Sequence, residues 1–256
     1  MLTFISDLHL SPAVPGITAL FEAFLASLPE RQISSLYILG DFFDHWVGDD
    51  DCSDPYNARI IAALRQVADQ GIELNLLHGN RDFLLGRDFA LAAGLRLLPD
   101  PYVLSVVTWQ FVLSHGDALC TDDRDYQAFR AQVRGPAWQS EFLSKPLAER
   151  KAIAAAMRQR SEASKAEKRD GDDYLMDVNA GTVEDFLRDN GYATLIHGHT
   201  HRPDRHDHIV DGIHCERWVL SDWHQDHTRA WGDCLVWDGD TLHRESLELP
   251  LESAPA

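Results

Sequence analysis

At 256 residues the chain can bury one sizeable core and still carry an inserted segment. It is 45% apolar and 25% charged, without low-complexity tracts or any apolar run near the roughly 18 residues a membrane span needs, which excludes disordered, fibrous and membrane-spanning classes. A formal net charge of −18 argues against generic nucleic-acid binding, which wants a basic face. Cys52, Cys120, Cys215 and Cys234 form no CxxC pair, and Met1 leads straight into an apolar strand, so a reduced, cytoplasmic protein without a signal peptide is expected.

The elements follow from apolar periodicity. A strand over Leu2–Ile5 precedes a helix whose apolar face carries Ile17, Leu20, Phe21, Phe24, Leu25 and Leu28. Strand Ser35–Leu39, an acidic WVGDDD loop, a helix from about Tyr56 to Gln70 stopped by Gly71, and strand Glu73–Leu77 come next. A short helix near Asp88–Ala93 is followed by two strands around Tyr102–Val107 and Gln110–Leu113. Between residues 123 and 191 strand signals vanish. Ala/Arg/Lys/Glu runs broken by Pro136 and Pro146 predict a helical cap inserted between core parts 1–122 and 192–256. Strand Thr194–Ile196 resumes the sheet, and Arg217–Leu220, Asp233–Trp237 and Thr241–Leu249 read as strands of a second sheet. Trp46 and Trp138 read as core. The alternation defines an α/β protein.

Five of these strands end in metal-ligand residue types. Leu2–Ile5 is followed by Asp7-x-His9, and the later runs are YILGD (Asp41), LNLLHGN (Asn80), FVLSHGD (His115) and TLIHGHTH (His199, His201). Any one such motif arises by chance, and its bland reading is a polar cap on a strand end. Five in order, each behind an apolar run, point to one O/N-ligand metal site at a sheet edge. The donor set lacks Cys and suits Mn²⁺, Fe or Zn²⁺ in a catalytic site rather than a structural zinc. His197 reads as a structural strand-end histidine. His206, His208, His214, His224, His227 and His243 follow no ligand pattern.

Charge is uneven. Residues 124–169 hold 11 Lys/Arg against 5 Asp/Glu, a local +6 within an acidic protein, which suggests an anionic partner for the segment. For Arg150, Lys151 and Arg169 a solvated helical face is the expected role.

In their order and separations, D-x-H, GD, GN, HGD and GHTH resemble the calcineurin-like metallophosphoesterase superfamily. The resemblance implies a four-layer α/β/β/α sandwich. It also implies one ion on Asp7, His9, Asp41 and His201, and another on Asp41, Asn80, His115 and His199, with Asp41 bridging. Where many members carry GNHE this chain has Gly79-Asn80-Arg81-Asp82. A guanidinium does not donate a proton to a leaving alkoxide but can hold phosphate oxygens bidentately. Arg81 therefore suits a leaving group that needs no proton, such as a phosphate monoester expelled from a diphosphate. The runs LYILGDFFDHWVGDDD, HGNRDFLLG, LLPDP, HGDALCTDDRDYQAFR, MDVN and LIHGHTHRP narrow the resemblance to the UDP-2,3-diacylglucosamine diphosphatases of lipid A biosynthesis, over nearly the whole chain. That family implies two Mn²⁺ ions and activated water attacking the α phosphorus, with Asp41, Asn80 and Arg81 at the chemistry. Asn80, Arg81, Asp123, Ser161, Lys165, Lys168 and His199 would face the substrate. It further implies a UDP-linked diacylglucosamine lipid as partner and an anionic membrane surface, from peripheral association with the cytoplasmic face of the inner membrane. A monomer without nucleic acid is expected. Asp44-His45 departs from the family's more usual Glu-Ala, with no consequence that follows from the sequence.

Overall fold

The computed structural model describes residues 1–107, 109–168 and 177–251, the side chains of 160–168 excepted. In chain order the elements are β1 (Leu2–Ile5), α1 (Pro15–Ser27), β2 (Ser35–Leu39), α2 (Pro55–Asp69), β3 (Glu73–Leu77), α3 (Arg87–Ala93), β4 (Leu95–Leu97), β5 (Tyr102–Val106) and β6 (Trp109–Ser114). Helices α4 (Arg124–Val133), α5 (Pro136–Leu143), α6 (Leu147–Lys168) and α7 (Ala180–Asp189) follow. The chain closes with β7 (Thr194–His197), β8 (Arg205–Val210), β9 (Ile213–Val219), β10 (His224–Gln225), β11 (Arg229–Trp237) and β12 (Leu242–Pro250).

Two sheets result. One runs β10-β11-β1-β2-β3-β4 with β12 also on β11; the other runs β5-β6-β7-β9-β8. Strands β1 to β4 are mutually parallel, as are β6, β7 and β9. Parallel strands covered on both faces must be apolar throughout, which is why β2 is buried at all five positions. Successive residues of a strand serve opposite faces. Thus Phe4, Tyr37, Leu39 and Leu77 meet Phe111, Leu113, Ile196, Leu235 and Trp237 between the sheets. Ile5, Leu36, Ile38, Leu74 and Leu76 face the other way, onto the apolar stripes of α1, α2 and α3. On the far side, Val183 and Leu187 of α7 lie with Val112, Leu195, Val210 and Cys215. These are the four α/β/β/α layers. Helix α7, within segment 123–191, serves the outer layer of the second sheet.

The C-terminal strands do not form a second sheet together, as their sequence suggests. Only β8 and β9 join it, whereas β11 pairs antiparallel with β1. The reason is burial. Leu235 and Trp237 enter the core between the sheets while Cys234 and Val236 enter the helix-side core. A strand apolar on both faces needs an interior position, and the free edge of β1 offers it. The second sheet had already been started by β5 and β6.

The expectation of a solvated face is overturned at Arg150, while the Lys151 side chain stays 39% exposed. Arg150 is 2% exposed. Its guanidinium donates to the Val47 carbonyl, pairs with Asp50, and donates through Nε to the Lys145 carbonyl at 2.9 Å. Lys151 reaches Asp51 at 2.7 Å. Arg169 lies outside the described residues. Arg150 and Lys151 thus rivet the start of the basic helix to the acidic loop. Arg150→Ala removes the guanidinium that donates to the Val47 carbonyl. It should lower the unfolding free energy by about 2–3 kcal/mol, the worth of a charged hydrogen-bond donor. Urea denaturation checks this, and a change below about 0.5 kcal/mol would contradict the rivet.

Candidate metal centre

The carboxyl ends of β1, β2, β3, β6 and β7 open at one place, the position where α/β sheets present their ligand-binding loops. Backbone bonds lace these loops together. Asp7 N–H donates to Gly40 O at 3.1 Å, His9 N–H to Asp41 O at 3.0 Å, and Gly198 N–H to His115 O at 3.0 Å. The approach is so close that a Cβ on Gly79 would lie 2.1 Å from Asp41 N, and one on Gly198 would lie 2.2 Å from Asp7 Oδ2. Only glycine permits it. Among the described residues, nine non-glycine positions have φ in the left-handed region. Five of them are Asp7, His9, Asp41, His199 and His201. Backbone strain of this kind persists where the surroundings impose it, and here it is concentrated on the predicted ligands.

All seven predicted ligands converge. His9 Nε2 and His201 Nε2 are 3.5 Å apart, and His201 Nε2 is 3.4 Å from Asp7 Oδ1. Asn80 Oδ1 lies 3.0 Å from His115 Nε2 and 2.9 Å from His199 Nδ1. Asp41 stands between the two clusters, 3.9 Å from His9 Nδ1 and 3.7 Å from His115 Nε2. Three of these ligands are held from behind. Asp7 Oδ2 accepts from Ser6 Oγ at 2.5 Å and His199 N at 2.9 Å; the His115 Nδ1–H donates to the Leu39 carbonyl at 2.9 Å. His201 Nδ1 is 3.0 Å from Asp222 Oδ2. Asp7 Oδ1 and His9 Nδ1 are buried without a partner.

Arg81 stands at the rim, its Nε 3.9 Å from Asp41 Oδ2 and its NH1 3.7 Å from Asp44 Oδ1. Asp44 is buried and also pairs with Arg158 of α6, so the departure at this position acquires a role: it joins the Arg81 loop to the cap. Asp82 ties the loops from behind, accepting from Gly79 N at 2.8 Å and Phe42 N at 2.7 Å. Burial and the neighbouring Asp41 push its carboxyl up to about 6. Asp123 caps α4, accepting from Tyr126 N at 3.0 Å. The side chains of Ser161, Lys165 and Lys168 lie outside the described residues.

Several site groups carried no ligand signal in the sequence. Asp117, the last residue of HGD, accepts from Tyr126 OH, Arg130 Nε and Arg134 NH2 at 2.9, 2.7 and 3.3 Å. Burial opposes its ionisation, but His115 and the two arginines hold the carboxyl well below the usual range. This docks α4 over the centre and stacks the Tyr126 ring 5.9 Å from that of His199. His197 is buried, donates from Nδ1 to Gly198 O at 2.9 Å and faces Arg217 NH1 at 3.1 Å, a structural role. A third cluster, Asp207, His214 and Glu216, is exposed and already bridged by Arg205, which reaches Asp207 at 3.1 Å and Glu216 at 2.8 Å.

Residues 1–203 match the model of the calcineurin-like phosphoesterase family. The chain belongs to that family. Within it, the chain is similar over nearly its full length to proteins named UDP-2,3-diacylglucosamine hydrolase. It is 52% identical to that of Aromatoleum aromaticum, with 92% of each chain covered, and 46% identical to that of Stenotrophomonas maltophilia, with 94% of this chain and 98% of the relative covered. The Chromobacterium violaceum protein of the same name is 50% identical, covering 86% of this chain and 90% of its own. Among solved structures, a dimetal phosphatase from Danio rerio shares the fold. Its TM-score is 0.52 at 12% identity, with 99% of this chain and 98% of that chain covered.

Family membership implies divalent metal ions, and the residues present fit them. Two imidazole nitrogens, each about 3 Å from one carboxamide oxygen, have the spacing of that oxygen's neighbouring ligands around one octahedral cation with bonds of about 2.1 Å. The orphaned Asp7 Oδ1 and His9 Nδ1 are buried polar atoms that a cation would satisfy. Protonation competes for the same atoms. Burial pulls His115 and His201 down, but the surrounding carboxylates prevail and raise them to about 9 and about 10. Burial leaves His9 and His199 at about 3, already neutral. Loading the metal-free protein with Mn²⁺ at pH 7 should therefore release about two protons, and affinity should climb as pH rises toward 9. Calorimetry in Hepes and Tris, whose ionisation heats differ, counts these protons. Binding heats independent of buffer would contradict the assignment.

Proposed function

We propose that this protein hydrolyses the diphosphate bond of UDP-2,3-diacylglucosamine, yielding UMP and 2,3-diacylglucosamine 1-phosphate in lipid A biosynthesis. The observation that carries the reading is the convergence of seven O and N donors from five strand ends beside Arg81. Its support from relatives is 46–52% identity to proteins of that name over most of the chain.

Asp7, His9, Asp41 and His201 would hold one Mn²⁺, and Asp41, Asn80, His115 and His199 the other. Two such ions supply Lewis acidity that makes water nucleophilic at neutral pH and offsets charge on phosphoryl oxygens. The rest of the work falls to the chain. Ser6 and the His199 amide keep Asp7 Oδ1 turned inward by occupying Oδ2. Leu39 O fixes the ring of His115 so that Nε2 faces the centre. Arg81 holds a phosphate oxygen as a fork and donates no proton, which limits the reaction to leaving groups stable as anions. Asn80, Asp123, Ser161, Lys165, Lys168 and His199 complete the substrate contacts, within a reading of the chain as core 1–122 and 192–256 around segment 123–191.

Among the described residues no helix is long and apolar enough to cross a membrane. We place the protein, as a monomer, in the cytoplasm, loosely on the anionic inner-membrane face where a diacyl substrate resides. Exposed Phe129, Leu143 and Met157 on the cap helices support this.

The test is turnover of UDP-2,3-diacylglucosamine by metal-stripped protein with Mn²⁺ restored, in ¹⁸O-labelled water. Label in UMP supports the reaction and attack at the α phosphorus. Label in the lipid phosphate reverses the attack. Hydrolysis of simple phosphodiesters alone would discard this substrate.

A further inference from the structure

The loop between β9 and β10 bonds both sheets at the metal centre. Its Leu220 N–H donates to His197 O at 2.8 Å, and its Trp223 N–H donates to Asp7 O at 3.1 Å. Trp223 is buried against α1, its ring centroid 6.0 Å from that of Phe24, in a slot that Gly232 leaves open: a Cβ there would lie 2.8 Å from the indole. Between these anchors lie Ser221 and Asp222. One of the Asp222 oxygens lies 3.0 Å from His201 Nδ1 and the other 3.1 Å from His224 Nε2, whose ring stacks 5.5 Å from that of Trp231. The carboxylate is therefore fixed on three sides and meets the outer nitrogen of one candidate ligand.

We propose that Asp222 is a positioning residue for the metal centre, holding His201 in the Nδ1–H tautomer and in the ring orientation that presents Nε2 to a divalent cation shared with Asp7 and His9. The proposal rests on the metal reading above and extends it to a side chain outside the seven ligands. A histidine ligand needs its second nitrogen engaged, because a freely turning imidazole loses the preorganisation that makes it bind. Carboxylate partners of this kind typically contribute 10- to 100-fold in affinity. Two other ligands have anchors of their own: Leu39 O for His115 and Ser6 Oγ for Asp7. Asp222 is the corresponding anchor for His201.

The experiment measures Mn²⁺ binding itself, by calorimetry and by the paramagnetic resonance signal of free Mn²⁺, in the full-length protein. Asp222→Ala should weaken one of the two binding events 10- to 100-fold and leave the other unchanged. Asp222→Asn keeps an acceptor for Nδ1–H and should recover part of the loss. In a His201→Ala background, Asp222→Ala should cost less than about twofold, since it acts through that ring. Wild-type binding by Asp222→Ala, or a fully additive loss in the double variant, overturns the proposal. Should the alanine variant not fold, Asp222→Asn decides alone: weakened binding at one site supports the proposal and wild-type binding overturns it. No substrate enters this readout, so an error in the assigned lipid would leave the result standing. Absence of Mn²⁺ binding in the unmodified protein would instead remove the metal reading itself.

Discussion

Asp41→Asn will lower kcat on UDP-2,3-diacylglucosamine by about 10³-fold or more, equivalent to roughly 4 kcal/mol of transition-state stabilisation. At the same time it will raise the melting temperature of the metal-free protein. The two effects share one cause. Asp41 is 2% exposed, and burial raises its carboxyl above the ordinary value despite the pull of His115 and Arg81. A group whose folded pKa is raised is more stable protonated. Its ionised form therefore costs fold stability at every pH above the unfolded value, and the neutral amide removes that cost. Asparagine also tolerates the left-handed backbone here, φ 49°, and its carbonyl can still accept from Arg81 N–H, now 2.9 Å from Oδ1. What the amide cannot supply is charge between His9 and His115, so Mn²⁺ stoichiometry should fall below two. Activity within tenfold of the unmodified protein would place the essential carboxylate elsewhere, with Asp7 next in line because it also reaches both candidate clusters.

Sequence and structure agree most closely where burial leaves least choice. Strands Leu2–Ile5, Ser35–Leu39 and Glu73–Leu77 have the bounds their apolar runs indicate, because each is a parallel strand buried without a break up to its carboxyl end. The ligands follow directly, since each occupies the turn that such a strand must make. Segments whose placement depends on distant partners were not legible. Strand β8 alternates charged and half-buried residues at a sheet edge and has no core signature of its own. Strand β11 reads clearly as a strand, but only the vacancy beside β1 decides which sheet receives it. Arg150 looks like any helical surface arginine until the acidic loop folds beneath it. Asp222 is the sharpest case. It lies in a short loop with no motif around it, and its meaning comes entirely from a histidine 21 positions away.

Arg81→Lys should lower kcat/KM for the diphosphate substrate by about 10²-fold, nearly as far as Arg81→Ala. Charge alone would predict rescue, because lysine is equally cationic. The geometry predicts otherwise. Arg81 already spans two carboxylates with separate nitrogens, Nε toward Asp41 and NH1 toward Asp44, with its side chain 20% exposed. A planar fork with this orientation can hold two oxygens of one phosphate while remaining anchored, whereas an ammonium offers one compact point that must choose among partners. With Asp41 and Asp44 both buried nearby, the lysine would settle on a carboxylate and leave the phosphate unheld. The loss should fall on diphosphates and not on the metal site, so Mn²⁺ binding is expected to be unchanged in both variants. Measuring kcat/KM and Mn²⁺ affinity side by side separates these effects. An Arg81→Lys enzyme within threefold of the unmodified rate would show that position 81 supplies charge alone, and the preference for a phosphate leaving group would then need another source.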